Sequence, residues 1–171
     1  MFGMKRKQAV NNASQAVGQL VNLCQAFSDL PSGFWRDPYV LGFLTTTIAV
    51  FAEMTLGKKP GAEEMGFIIM GVYERLNPLQ AKNIAHQIVA LQEAKEANYF
   101  RAVEKAYKTI AVTYGHPGFE NDPDVIDAAR LASAMRGAIS ISNPNAELGG
   151  ALQSMLFIQV VKERLRAEGQ S

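Results

Sequence analysis

The sequence predicts an all-α protein, a single-domain bundle of six or seven helices with short connections and a buried apolar central helix. Three observations carry this. Apolar residues recur at three- and four-residue spacings through most of the chain, the period of a helix face. Asp or Asn stands directly before proline at Asp37-Pro38, Asn77-Pro78, Asp122-Pro123 and Asn143-Pro144, which pairs a capping side chain with the ring that suits the first helical position. Outside the ambiguous stretch Gly137–Ser142, nothing reads as a strand, and no glycine-rich strand-to-helix turn occurs.

The first helix is expected over Gln8–Asp29, with Val17, Leu20, Val21, Cys24 and Phe27 as its stripe. The basic residues Lys5, Arg6 and Lys7 read as a solvated tail (residues 1–7) ahead of it, and Pro31, Ser32 and Gly33 stop it. The second helix spans Pro38–Leu56 and is apolar on every side, the mark of a buried helix. Gly57, Lys58, Lys59, Pro60 and Gly61 form the next turn. A third helix covers Ala62–Leu76, with Glu63 and Glu64 in the first turn, where carboxylates are favoured. From Pro78 to Tyr114 there is no further proline and no glycine. One helix of that length would measure about 54 Å, but the stripe Ile84, Ile88, Leu91 drifts before resuming at Tyr99, Val103, Ala106, Ile110. Two helices, or a bend near Glu96–Asn98, follow. Glu104 and Lys108 are spaced for a surface ion pair. After the loop 115–122, a helix runs over Pro123–Met135 with Val125, Ile126, Ala129, Leu131, Ala132 and Met135 as its apolar face. The last runs from Pro144 to Arg166 with Leu148, Leu152, Met155, Leu156, Gln159 and Val160 inward, and residues 167–171 fray.

The chain has 171 residues, 48% apolar and 19% charged, which is the globular range for one domain. Seventeen Lys and Arg oppose 16 Asp and Glu, a net charge of +1, so no global field collects nucleic acid or an anionic membrane. The single cysteine, Cys24, forms no internal disulfide and falls on a helical stripe, where it reads as a small buried apolar residue. The segment after Lys7 is too polar for a signal-peptide core. The expectation is therefore a cytoplasmic, bacterial protein. The longest uncharged apolar stretch, Tyr39–Ala52, is 14 residues, short of the roughly 20 of a spanning helix, so no transmembrane segment is expected. A buried central helix is the reading, against a membrane-associated hairpin made with Met65–Val72.

Several chemistries are excluded. No Glu-x-x-His pair exists, because Asn83 and Thr113 precede the two histidines by three, and carboxylate-bridged metal bundles need one. One Cys and two His cannot build a zinc finger. No phosphate loop, dinucleotide fingerprint, zinc-protease or Gly-x-Ser-x-Gly motif occurs. Lys and Arg are scattered, so no nucleic-acid partner is expected, and no cofactor is implied.

Three groups remain as candidates. Phe34, Trp35, Arg36 and Tyr39 gather the residue types of binding hot spots in one interhelical link. The alternative is that Trp35 folds back as a plug on the bundle end. The apolar residues Phe43, Phe51, Met54, Met65, Phe67 and Met70 of the second and third helices suit the lining of a pocket for a small apolar ligand, or ordinary core. The loop around His116, Glu120 and Asp122, with Asp124 and Asp127 beyond it, joins a histidine to carboxylates. Such a group binds a divalent cation or acts as an acid/base pair, or serves as turn and cap. His86 falls off the apolar face, and Glu53 near its helix end reaches water. The sequence thus points to a non-enzymatic interaction or accessory module, with a homo-oligomer or another protein as partner. The alternative is a helical binder of an apolar ligand, or an enzyme, with its polar site at 115–124.

Overall fold

The computed structural model describes residues 2–26, 29–135 and 144–168. The stretch Gly137–Ser142, Phe27 and the tail residues 169–171 lie outside them. The protein is all-α, with no strand among the described residues. Its helices are α1 (Phe2–Gln25), α2 (Pro38–Leu56), α3 (Ala62–Leu76), α4 (Ala81–Glu93), α5 (Ala97–Thr113), α6 (Pro123–Met135), α7 (Pro144–Gln153) and α8 (Val160–Glu168). A π-helical turn, Ser154–Gln159, joins α7 to α8 as one run, and a 3-10 turn, Phe34–Arg36, precedes α2. The chain divides into two compact units, residues 1–103 and 104–171, with the boundary inside α5.

In the first unit α1 begins at Phe2, so Lys5–Lys7 are helical and the expectation of a tail is corrected. Lys and Arg are good helix formers and no proline precedes Gln8, while Arg6 Nε is anchored 3.1 Å from Glu64 Oε1. The buried face of α1 is Ala9, Val10, Ala13, Val17, Leu20, Val21 and Cys24, which recur three or four residues apart with neighbours at Ala9–Val10 and Leu20–Val21, as a broad core-facing stripe requires. Helix α1 ends at Gln25, not Asp29. Asn12 Nδ2 donates to Thr55 Oγ1 at 3.0 Å, Arg75 Nη1 to Asn11 Oδ1 at 2.5 Å, and Val10 faces Gly71. These pairs run α1 antiparallel to α2 and parallel to α3.

Helix α2 is the core helix. Asp37 Oδ1 accepts from Tyr39 N at 2.8 Å and Val40 N at 3.0 Å, satisfying two of the donors that a helix start leaves open. Gly57 ends the helix in the left-handed region, φ 69°. Thr46, Thr47 and Thr55 donate back to the carbonyls of Gly42, Phe43 and Phe51, which satisfies their hydroxyls in an apolar setting. Burial on all sides holds from Tyr39 to Ile48 apart from half-buried Thr46, and then Glu53 and Met54 emerge into solvent. At 19 residues, the span expected for it, α2 has the length and composition of a membrane span, but most of it is buried. Gly42 carries a close helix approach: a Cβ there would lie 2.3 Å from the Tyr99 carbonyl oxygen and 3.0 Å from Ala102 Cβ.

The break between α4 and α5 falls at Ala94–Glu96. Lys95 sits at φ 51°, its N–H reaches Gln92 O at 3.2 Å, and Glu96 N reaches Leu91 O at 3.0 Å. That is a Schellman stop with lysine where glycine is usual. Glu96 Oε2 then accepts from Tyr99 N at 2.7 Å and opens α5.

In the second unit Gly149 of α7 meets α5, where a Cβ would lie 2.0 Å from Thr113 Oγ1. Helix α6 buries Val125 and Ala128, whereas Ile126 and Ala129, expected inward, are exposed. The last helix buries Leu152 and Leu156 as expected, but then Phe157, Val161 and Leu165 rather than Gln159 and Val160. The π turn supplies the reason: one extra residue in the turn rotates everything beyond it by a residue's step.

Candidate functional site

The link before α2 splits the four residues it was expected to present together. Phe34 is fully buried and Tyr39 is 3% exposed. The half-buried Trp35 ring stands edge-on to Phe34 at 5.0 Å and to Tyr73 at 6.3 Å. The ring thus packs partly against these two aromatic neighbours. Arg36 is exposed, and its carbonyl accepts from Gln87 Nε2 at 2.6 Å. Of the four, only Arg36 is exposed and Trp35 half-buried.

Behind Trp35 lies a cluster of buried hydroxyls. The Tyr73 hydroxyl is 3.3 Å from Thr45 Oγ1, and Gln92 Nε2 donates to the Tyr99 hydroxyl at 2.9 Å. Burial pushes both phenols above the ordinary tyrosine pKa, against the opposing effect of their hydrogen bonds. They therefore stay neutral, and their chemistry is hydrogen bonding that fixes how α2, α3, α4 and α5 meet.

The loop after α5 resolves into helix-end chemistry. Gly115, at φ 72°, and His116 close α5 as a second Schellman stop, with Gly115 N to Val112 O at 3.0 Å and His116 N to Ala111 O at 2.9 Å. The His116 side chain is exposed. Glu120 turns back to accept from Gly118 N at 3.0 Å, and backbone N–H groups, its own and that of Gly118, hold its carboxyl below the usual range. Asp122 caps α6 through Asp124 N at 2.9 Å. Lys108 corrects the expected Glu104 pair: its Nζ lies 2.6 Å from Asp122 Oδ2 and 2.6 Å from Asp124 Oδ2, and Lys105 also pairs with Asp124. Burial of Lys108 works against its charge, but the bonds from Asp122 and Asp124 outweigh it and raise its pKa. Burial likewise opposes the ionised form of Asp124, and Lys105 and Lys108 overcome it, so its pKa is lowered. The carboxylates thus face lysines. Among the described residues no three His, Cys, Asp or Glu side chains gather as a metal-ligand set, so His116, Glu120 and Asp122 are not brought together as one.

The six apolar candidates of α2 and α3 do not share one interior lining. Phe43 is core at 1% exposure, Phe51, Met65 and Met70 are half-buried, and Met54 and Phe67 are 50% and 56% exposed. Phe67 carries the Arg6 guanidinium 5.9 Å above its ring.

Sequence reasoning passed over the outward face of α5. In the second unit, Tyr107 of that helix and Tyr114 just past its end are 58% and 51% exposed, with half-buried Ile110 between them. Spacings of three and four put all three on one face. The signal was present, but Ile110 was assigned to the buried stripe of Tyr99 and Ala106, from which it is rotated by one residue. No protein-family model, curated protein or solved structure matches the chain.

Proposed function

We propose that this protein is a non-enzymatic helical interaction module, and that it self-associates through the outward face of α5 in its second unit. The observation that carries the reading is the exposure of Tyr107 and Tyr114 on either side of half-buried Ile110. Tyrosine supplies large contact area at low conformational cost and is enriched in interface hot spots. The partner is a second copy of the chain, because a net charge of +1 on 171 residues sets up little repulsion between copies. Light scattering over a wide concentration range tests this. The expected result is an oligomer that Tyr107→Glu returns to monomer and that Trp35→Ala, whose ring packs inward, leaves assembled. A monomer at every concentration, or an oligomer indifferent to Tyr107→Glu, refutes the proposal.

A further inference from the structure

The whole-chain charge of +1 hides a local imbalance. Because α1 runs antiparallel to α2 and parallel to α3, one end of the first unit collects the start of α1, the end of α2, the turn 57–61 and the start of α3. Lys5, Arg6, Lys7, Lys58 and Lys59 converge there, against Glu53, Glu63 and Glu64. The Glu64 carboxylate is committed inward: it is 8% exposed and pairs with Arg6 at 3.1 Å and with Lys58 at 3.9 Å. Lys5, Lys7 and Lys59 are exposed.

The same end carries three large apolar side chains in solvent: Met4 at 75%, Phe67 at 56% and Met54 at 50%. Each belongs to a different helix of the three. Arg6 lies over the Phe67 ring, so the aromatic and the cationic surface are continuous there.

We infer that this end of the first unit docks on an anionic lipid bilayer surface. Flexible methionines and a phenylalanine enter the boundary between head groups and acyl chains, and the flanking lysines reach the lipid phosphates on long stems. Charge complementarity selects the anionic leaflet, since each lysine near such a surface adds to the attraction within a Debye length. A nucleic acid is a poorer fit: the one arginine of the group is already bound to Glu64, and the exposed apolar chains have no role on a phosphate backbone. This surface shares no residue with the α5 face, so either proposal can fail alone.

Co-sedimentation of the full chain with vesicles tests the inference, comparing phosphatidylcholine alone with phosphatidylcholine plus phosphatidylserine. Binding is expected only with phosphatidylserine, suppressed by high salt. Joint Lys5→Glu, Lys7→Glu and Lys59→Glu changes should weaken it by at least about tenfold, while Lys82→Glu and Lys95→Glu together leave it unchanged. Phe67→Ser should weaken it further without changing the salt dependence. These residues are exposed, and an unchanged circular dichroism spectrum checks each variant's fold. Equal binding to both vesicles, no binding to either, or indifference to the triple reversal overturns the inference. Retention on polyglutamate or on nucleic acid in place of vesicles would also overturn it, and would assign the surface to that class instead.

Discussion

Two neighbouring glycines in α7 allow a measurement with its own control. Gly149 and Gly150 share one helix and nearly one environment along the chain. Replacing either by alanine should gain about 1 kcal/mol from helix propensity, since alanine restricts the unfolded chain. The tertiary surroundings then separate them. Around Gly150 an added Cβ meets nothing within 4 Å, whereas at Gly149 it would lie 2.0 Å from Thr113 Oγ1, 2.8 Å from Thr113 Cβ and 3.1 Å from Thr113 Cα. The hydroxyl cannot turn away without loss, because it donates to Thr109 O at 2.7 Å. Moving it forfeits roughly 1 kcal/mol, and overpacking of this kind costs about 1–3 kcal/mol. Gly150→Ala should therefore stabilise by about 1 kcal/mol, and Gly149→Ala should destabilise by about 1–3 kcal/mol. Urea denaturation followed by circular dichroism reads both as midpoint shifts of opposite sign. Thr113→Ala should recover part of the Gly149→Ala loss, because it removes the 2.0 Å contact and leaves the one at 2.8 Å. Equal shifts for the two glycine variants would show that α7 does not seat against α5 at this point.

Two further predictions concern the ends of α5. Lysine at φ 51° carries the Cβ strain of the left-handed region, about 1–2 kcal/mol for an L residue, so Lys95→Gly should raise the urea midpoint, and an unchanged or lower midpoint would remove the Schellman stop from the account. The lysine–aspartate cluster should confine its stabilisation to a pH window. The lowered Asp124 pKa means the unfolded chain binds the proton first, so stability is present above the ordinary carboxylate value near 4 and lost as pH falls through the folded value. The raised Lys108 pKa has the opposite sign, with stability present below the ordinary ammonium value near 10.4 and lost as pH rises through the folded value. Asp124→Asn should flatten the acid limb of the urea midpoint plotted against pH, and Lys108→Met the alkaline limb; limbs unchanged in both variants would place the titration elsewhere.

What the chain's own chemistry determined is largely where helices start and stop. Asp37, Asp122, Gly57 and Gly115 act within one turn of themselves, through caps and left-handed conformations, and a local cause is legible in a local string. Hence α2, α3 and α6 occupy the spans that their proline, glycine and aspartate signals mark. The stop at Lys95 was harder to place because a lysine does glycine's work there, and only the drift of the apolar stripe betrayed it. The start of α1 at Phe2 was hidden because Arg6 is held by Glu64, a partner 58 positions away. Periodicity placed the inner stripe of α1 at Val17, Leu20, Val21 and Cys24, but tertiary structure decided the faces elsewhere. It turned Trp35 inward against Tyr73, brought Lys108 to Asp122 and Asp124 instead of Glu104, and rotated the stripe beyond Leu156 through the π turn. It also assembled the basic end from three helix termini. Burial and charge pairing depend on what lies across the gap, and a periodicity read along one helix carries no information about its neighbour.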